Sequence, residues 1–307
     1  MIQLIPEPKS VKEYGTYTKI FTGITLLDEQ GQKPDTEWIN LAEERFWNYR
    51  GIVFNGKDEE KNIQVILKHS LDGIETDNEK LFREQGYVLE IDAGQVEISY
   101  ETKVGFIHAV TSMKQILIEK EDGYVLPELY LVDYPSVPVR AIAQTFSWYA
   151  GYGRFGFDSQ LWGYEEWEQY LNICLDNKIN QFNLVMYGYW PFEMPGFSET
   201  VFRDVPIKIW NAENRRWLTV RYTHPNLEEP FLEKFIRTAH RFGVKIFAYV
   251  GLNSYNGAFT IKHPEARMQT PKAVSYTHLD VYKRQALYQV NHGAGESNRT
   301  DQSYVTG

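Results

Sequence analysis

YVLEIDAGQVEISY, residues 87–100, decides how the first half of the chain is read. Tyr87, Leu89 and Ile91 stand two apart, Ala93-Gly94 is a turn signal, and Val96 and Ile98 resume the spacing. Period-two alternation puts these side chains on one face of a ribbon, so the stretch reads as a β-hairpin with one buried face. Directly after it, VGFIHAVTSMKQIL (104–117) carries Val104, Ile107, Val110, Met113 and Leu117 at helical spacing, which predicts a helix able to lie on such a sheet. Upstream, ITLLDEQGQ, GIVFNG and NIQVILKHS are short strand-like runs between polar turns, and Glu37-Trp38 with EERFWNYR suggest one more helix. Residues 1–134 therefore read as an α+β domain of strands backed by helices.

The pattern changes beyond LVDYPSVPVR (131–140), which carries Pro135 and Pro138 and reads as a linker. RAIAQTFSWY (140–149), QFNLVMYGYW (181–190) and KIFAYVGLN (245–253) are strand candidates. Between them, YEEWEQYLNICLDNKI (164–179) and LEEPFLEKFIRTAHRFG (227–243) are helix candidates, the second ending at a glycine suited to its C-cap. Residues 191–226 read as a long aromatic-rich loop. Strand and helix in strict alternation open an α/β barrel or a doubly wound sheet. A closed barrel needs eight such units and typically about 250 residues, whereas three precede Ala273. The expected fold is an α+β N-terminal domain followed by an incomplete α/β (TIM-type) barrel, with residues 135–273 supplying its first three βα units.

Residues 274–285, VSYTHLDVYKRQ, are set apart. With a GCT codon at Ala273 they can be encoded by DNA equal to its own reverse complement. That string resembles two head-to-head transposon mosaic ends of the kind used in sequencing-library preparation. A protein has no physical reason to encode such symmetry, so 274–307 reads as a non-native tail and is excluded from fold reasoning.

Composition bounds the function. The chain is 43% hydrophobic and 24% charged, with a net charge of −9 that argues against nucleic acid as a partner. Eight Trp and 21 Tyr make an aromatic excess. Such residues build cores, and they also build sugar clefts, where ring faces stack on pyranose C–H faces. The single cysteine, Cys174, excludes an intramolecular disulfide, and its helical context reads as a buried small hydrophobe. Neither a leader pattern in MIQLIPEPKSV nor an apolar run of membrane-spanning length is found. The expectation is a cytoplasmic protein with no membrane partner, no metal and no cofactor; composition leaves the oligomeric state open.

The opening LIPEPKSV, the hairpin YVLEIDAGQVEISY, the helix GFIHAVTSMKQIL and the linker DYPSVPVRAI resemble, in this order, the N-terminal domain of family 20 glycoside hydrolases, the β-N-acetylhexosaminidases. LDNKINQFNLVMY resembles that family's first barrel helix running into its second strand. α-N-acetylglucosaminidases and α-glucuronidases, which share the domain pair, are similar too. The resemblance implies a (β/α)8 barrel after the first domain and hydrolysis of a terminal sugar, N-acetylated or not, by a carboxylate pair at the end of a fourth strand. The chain departs from the family where an Asp pair is expected after the second strand, since it reads Tyr187, Gly188 and Tyr189. After the third strand it has Asn253, Tyr255 and Asn256 in place of an acid and a histidine.

Glycoside hydrolysis needs a proton donor and stabilisation of an oxocarbenium-like transition state. No residue before Ala273 is assigned as catalytic acid or base, so the chain is expected to be inactive by itself. Glu165, Glu166 and Glu168 begin a helix, where carboxylates suit the dipole. The expected sugar contacts are Arg140, where the resemblance implies an Arg on sugar hydroxyls, Trp148, Asp158, Tyr187, Tyr189, Trp190 and Glu193. His224 and His263 precede prolines and read as local caps. The rival reading is a non-catalytic carbohydrate-binding protein that reuses the same pair of domains.

Overall fold

A computed structural model describes residues 2–46, 51–56, 59–145, 161–187, 189–193, 198, 201–251 and 287–289. The first unit contains β1 (Ser10–Tyr17), β2 (Gly23–Asp28), α1 (Thr36–Arg45), β3 (Val53–Phe54), β4 (Asn62–Lys68), α2 (Glu79–Gln85), β5 (Tyr87–Asp92), β6 (Gln95–Tyr100), α3 (Lys103–Gln115), β7 (Ile118–Lys120), β8 (Gly123–Val125) and β9 (Pro127–Asp133). The second contains β10 (Ala141–Thr145), α4 (Tyr164–Asp176), β11 (Gln181–Tyr187), β12 (Val205–Asn211), β13 (Arg216–Tyr222), α5 (Phe231–Arg241) and β14 (Lys245–Gly251), with β15 (Leu287–Gln289) further on.

The hairpin read from 87–100 is β5 and β6, in register from Tyr87↔Tyr100 to Asp92↔Gln95. Its two-residue loop puts Ala93 at φ 48° and Gly94 at φ 82°. Positive φ at both positions is what a loop matched to strand twist requires, and glycine takes it without a Cβ clash. Around this hairpin a seven-stranded sheet forms in the order β1-β9-β5-β6-β4-β2-β3. The β1, β9, β5 and β6 side is antiparallel, while β6, β4, β2 and β3 run parallel. Its inner face supplies Ile24, Leu26, Val65, Leu89, Ile98 and Leu131, all buried. Against this face lies α3, opened by Thr102, whose Oγ1 accepts from the Gly105 amide at 3.1 Å. Every α3 residue from Gly105 to Lys114 is buried, because the helix is covered by the sheet on one side and by the second unit on the other.

In the second unit β10, β11 and β14 form a parallel sheet, and β15 adds to the β14 edge antiparallel. Thus the described part of the 274–307 tail, three residues long, makes no fourth parallel strand. The core here is aromatic. Trp167 of α4, Phe182 of β11 and Phe235 of α5 meet edge to face at 5.8–6.2 Å, a geometry that aligns ring edges with ring faces.

Two ionic clusters join the units. In one, Asp176 at the end of α4 pairs with Arg45 of α1 and with Lys114 of α3 at 2.6 Å. In the other, Lys178 Nζ donates to Asp133 of β9 at 2.7 Å and to the Tyr87 hydroxyl at 2.9 Å. Lys178 has φ 55°, the left-handed conformation usual for glycine after a helix, yet its ammonium is buried. Gly243, at φ 74° just past α5, lies against Val104, whose Cγ2 would stand 2.8 Å from any Cβ placed there.

Several elements differ from the sequence reading. β9 extends to Asp133, so the first three residues of the expected linker are strand. The expected loop 191–226 contains the antiparallel pair β12–β13 and a 3-10 turn at Pro225–Leu227. The last turn of the helix expected over 164–179 is missing because α4 ends at Asp176. Among the described residues no helix is long and apolar enough to cross a membrane.

Candidate functional site

All three parallel strands run the same way, so Thr145, Tyr187 and Gly251 end at one edge of the sheet. In parallel α/β architecture the segments that leave this edge build the ligand site. Of those segments the described part is the one after β11. Trp190 makes an isolated parallel bridge to Val201, and Phe202 donates its amide to the Trp190 carbonyl at 2.8 Å. The His224 amide in turn donates to Phe202 O at 2.9 Å. This ladder carries an aromatic cluster in which Tyr189 stacks on Phe202 at 6.2 Å and Phe202 meets Tyr222 at 5.2 Å. His224 Nδ1 accepts from the Asn226 amide at 3.1 Å and caps the 3-10 turn, as its position before Pro225 suggests.

The expected sugar-site residues divide by place. Tyr187 is the last residue of β11, paired with Gly251. Tyr189 is half-buried beside Phe202, and burial raises its phenol pKa. Trp190 is fully buried and stacks on Phe192 at 6.0 Å, inside the core shared by both units. Glu193 is exposed and ion-paired with Arg203. Trp148 and Asp158 lie outside the described residues, as do His263, Asn253, Tyr255 and Asn256.

Arg140 stands elsewhere. It precedes the first residue of β10, at the opposite end of the parallel sheet from Tyr187 and Tyr189. There its Nε donates to Lys178 O at 2.7 Å and its Nη1 to Val137 O at 3.1 Å. With Lys178, Asp133, His108 and Tyr134 it lines a cavity of about 240 Å³ at the junction of the units. Burial lowers the pKa of Arg140 and Lys178, and Asp133 opposes both shifts. His108, whose Nδ1 donates to Gln85 O at 2.9 Å, is pushed down to about 3 by burial and then by the charge of Lys178. Cys174 is buried and its thiol is pushed up to about 11, which keeps it a thiol at neutral pH. Among the described residues no group of three or more His, Cys, Asp or Glu converges to hold a metal.

The arrangement is that of a mixed seven-stranded sheet docked on a parallel βα sheet, with an aromatic cluster where the parallel strands end. Residues 1–134 match the family model described as glycosyl hydrolase family 20, domain 2. Among solved structures the chain is similar to a family 20 exo-β-N-acetylglucosaminidase from Vibrio harveyi determined with N-acetylglucosamine, at 14% identity and TM-score 0.61, over 87% of this chain and 39% of that one. It is similar as well to a β-N-acetylhexosaminidase from Bacteroides fragilis, at 15% identity and TM-score 0.58, over 85% of this chain and 47% of that one. A third is the β-N-acetylhexosaminidase of Streptomyces coelicolor A3(2), at 15% identity and TM-score 0.57, covering 83% and 47%. The chain thus spans less than half the length of each of these structures.

Proposed function

We propose that this chain is the sugar-binding part of a glycoside hydrolase that removes a terminal N-acetylhexosamine or a close relative. The observation that carries the reading is the shared two-unit fold, matched over 87% of the chain in a β-N-acetylglucosaminidase. In this reading β10, α4, β11, α5 and β14 open a (β/α)8 barrel, and the sugar sits beyond the C-terminal ends of the three strands. Tyr187, Tyr189, Trp148 and Asp158 are the sugar contacts of this reading; aromatic stacking on the C–H faces would orient the sugar and hydroxyl tips would fix its register. Trp190, buried beneath, holds the strand end in place. Arg140 supports the junction instead of the sugar.

Cleavage requires a proton donor for the leaving oxygen and either a second carboxylate or the substrate's own acetamido group as nucleophile. Glu193 is tied to Arg203 at the surface, and the carboxylate pair that the family resemblance implies belongs to a fourth strand. We therefore expect the 307-residue chain to bind the monosaccharide without cleaving its glycosides. Titration with N-acetylglucosamine should quench tryptophan fluorescence saturably, and an aryl N-acetyl-β-glucosaminide should not turn over. Absence of any saturable response sinks the sugar reading. Turnover abolished by Glu193→Gln or Asp158→Asn sinks the claim of inactivity.

Tyr187-Gly188-Tyr189 at a position where the family resemblance implies an Asp pair supports a second reading, a non-catalytic carbohydrate binder. A reading frame continuing past Ala273 separates the two, since adjacent carboxylates after a fourth strand favour the enzyme.

A further inference from the structure

The β12–β13 hairpin has two unlike faces. Val205, Val220 and Tyr222 on one side pack with Phe202 and Tyr189. On the other side, the alternation and the register Pro206↔Arg221, Lys208↔Thr219, Trp210↔Trp217 line up six side chains, every one of them exposed. Trp210 and Trp217, 51% and 43% exposed, meet at 5.5 Å with their rings at 61°. Arg221 is held by Asp204 through a two-pronged contact, which leaves Lys208 as the ammonium beside the indoles.

Two adjacent indoles on an outward sheet face leave about half of their surface open to solvent, which is ring area a ligand can cover. The face also limits what can cover it. Seven-residue strands side by side offer about 240 Å², well below the roughly 800 Å² per partner of a stable protein interface. The occupant is therefore small or thin. Its charge is indicated as well: on this face Arg221 is paired with Asp204, and Lys208 adds an exposed ammonium on a chain whose net charge is −9.

We propose that this outer face is a platform for an acidic oligosaccharide in which N-acetylhexosamine alternates with uronic acid, held beside the strand ends that take its terminal sugar. The proposal rests on the glycosidase reading and specifies its substrate class. Indole faces stack on pyranose rings, Lys208 meets a carboxylate, and the Thr219 hydroxyl pairs with a ring hydroxyl. The hairpin belongs to the segment that follows β11, and its inner face packs on Tyr189, which ties the platform to the end of the parallel sheet.

The test is calorimetric titration of the full chain with hyaluronan hexasaccharide, and with N-acetylchitohexaose, which has the same amino sugar and no carboxylate. The acidic oligosaccharide should bind more tightly, and the preference should shrink as salt rises. Trp210→Ala should weaken both ligands about tenfold. Lys208→Gln, on an exposed position that folding does not need, should weaken only the acidic one. Equal affinity for the two ligands overturns the proposal, and so does unchanged binding in both variants. Sedimentation that reveals a dimer lost in Trp210→Ala overturns it too, by making the face an interface between copies. The response to free N-acetylglucosamine is read separately: if it persists in Trp210→Ala while the hexasaccharide preference is absent, the platform fails and the terminal-sugar reading stands. If it is absent while the hexasaccharide binds through Trp210, the reverse holds.

Discussion

The two units solve the problem of burial differently. The seven-stranded sheet is paired from β1 to β3, and its core is mainly aliphatic, with Ile24, Val65, Leu89 and Ile98 fully covered. The parallel unit has three parallel strands and a core of large rings, Trp167, Phe182 and Phe235. Aliphatic side chains from a wide sheet interdigitate locally, so that unit is largely self-sufficient. A three-stranded parallel sheet offers less area, and its stability leans on the neighbour through one continuous core and the two ionic clusters. The region that carries the candidate site is thus held in place by the region that does not.

The sharpest way to break this arrangement is to remove one charge from the drier cluster. Lys178 and Asp133 are 6% and 9% exposed, so Asp133→Ala strands a buried ammonium and takes an acceptor from Tyr87. Urea unfolding should show a loss of about 3–5 kcal/mol, and adding Lys178→Met should recover much of it, because the double change removes the uncompensated charge. The second cluster is wetter on its acidic side. Asp176 is 27% exposed, and Arg45 keeps Asn172 Oδ1 at 2.8 Å when the carboxylate goes. Asp176→Ala should therefore cost less, about 2–3 kcal/mol. If the order of these two losses is reversed, the junction is not organised by desolvation.

His108 sharpens the same comparison through pH. It lies on α3 in the field of Lys178, Arg140 and Arg45, with Gln85 O as its acceptor, and stays neutral down to about 3. An unfolded histidine titrates near 6.5. Between these values the unfolded chain binds the extra proton, so stability is complete above about pH 6.5 and falls as pH drops toward 3. The slope from this residue approaches about 1.4 kcal/mol per pH unit in mid-window. His108→Gln should flatten the dependence of the unfolding midpoint on pH between 6 and 4; an unchanged slope sinks the assignment.

The two units also differ in how much of them was legible. The 87–100 hairpin, α3 and the alternation of β10, α4, β11, α5 and β14 were visible because apolar residues recur in them at strand or helix spacing. β1 was not, since all eight of its residues are exposed and no apolar alternation is demanded of an edge strand. The β12–β13 hairpin did leave a signal: Val205, Ile207 and Ile209, then Leu218, Val220 and Tyr222, stand two apart around a polar turn. A barrel template, which expects a loop after each strand, hid it. Arg140 shows the limit for the site. Sequence placed it at a strand, but only the direction of β10 reveals that it stands at the end opposite the aromatic cluster. The ionic junction was illegible because Arg45, Lys114 and Asp176 are brought together only by docking of the two units.

Glu193 gives the smallest expected effect and the cleanest separation of site from scaffold. Its pair with Arg203 is 59% and 54% exposed, so water screens it and ordering two long side chains offsets much of the attraction. Glu193→Gln should change stability by less than about 0.5 kcal/mol, against the several kcal/mol expected at the junction. Any change in monosaccharide response in that variant is then a contact effect, because the fold has not moved. A destabilisation comparable to Asp133→Ala would instead place Glu193 in the scaffold, and it would remove the residue from the cleft wall.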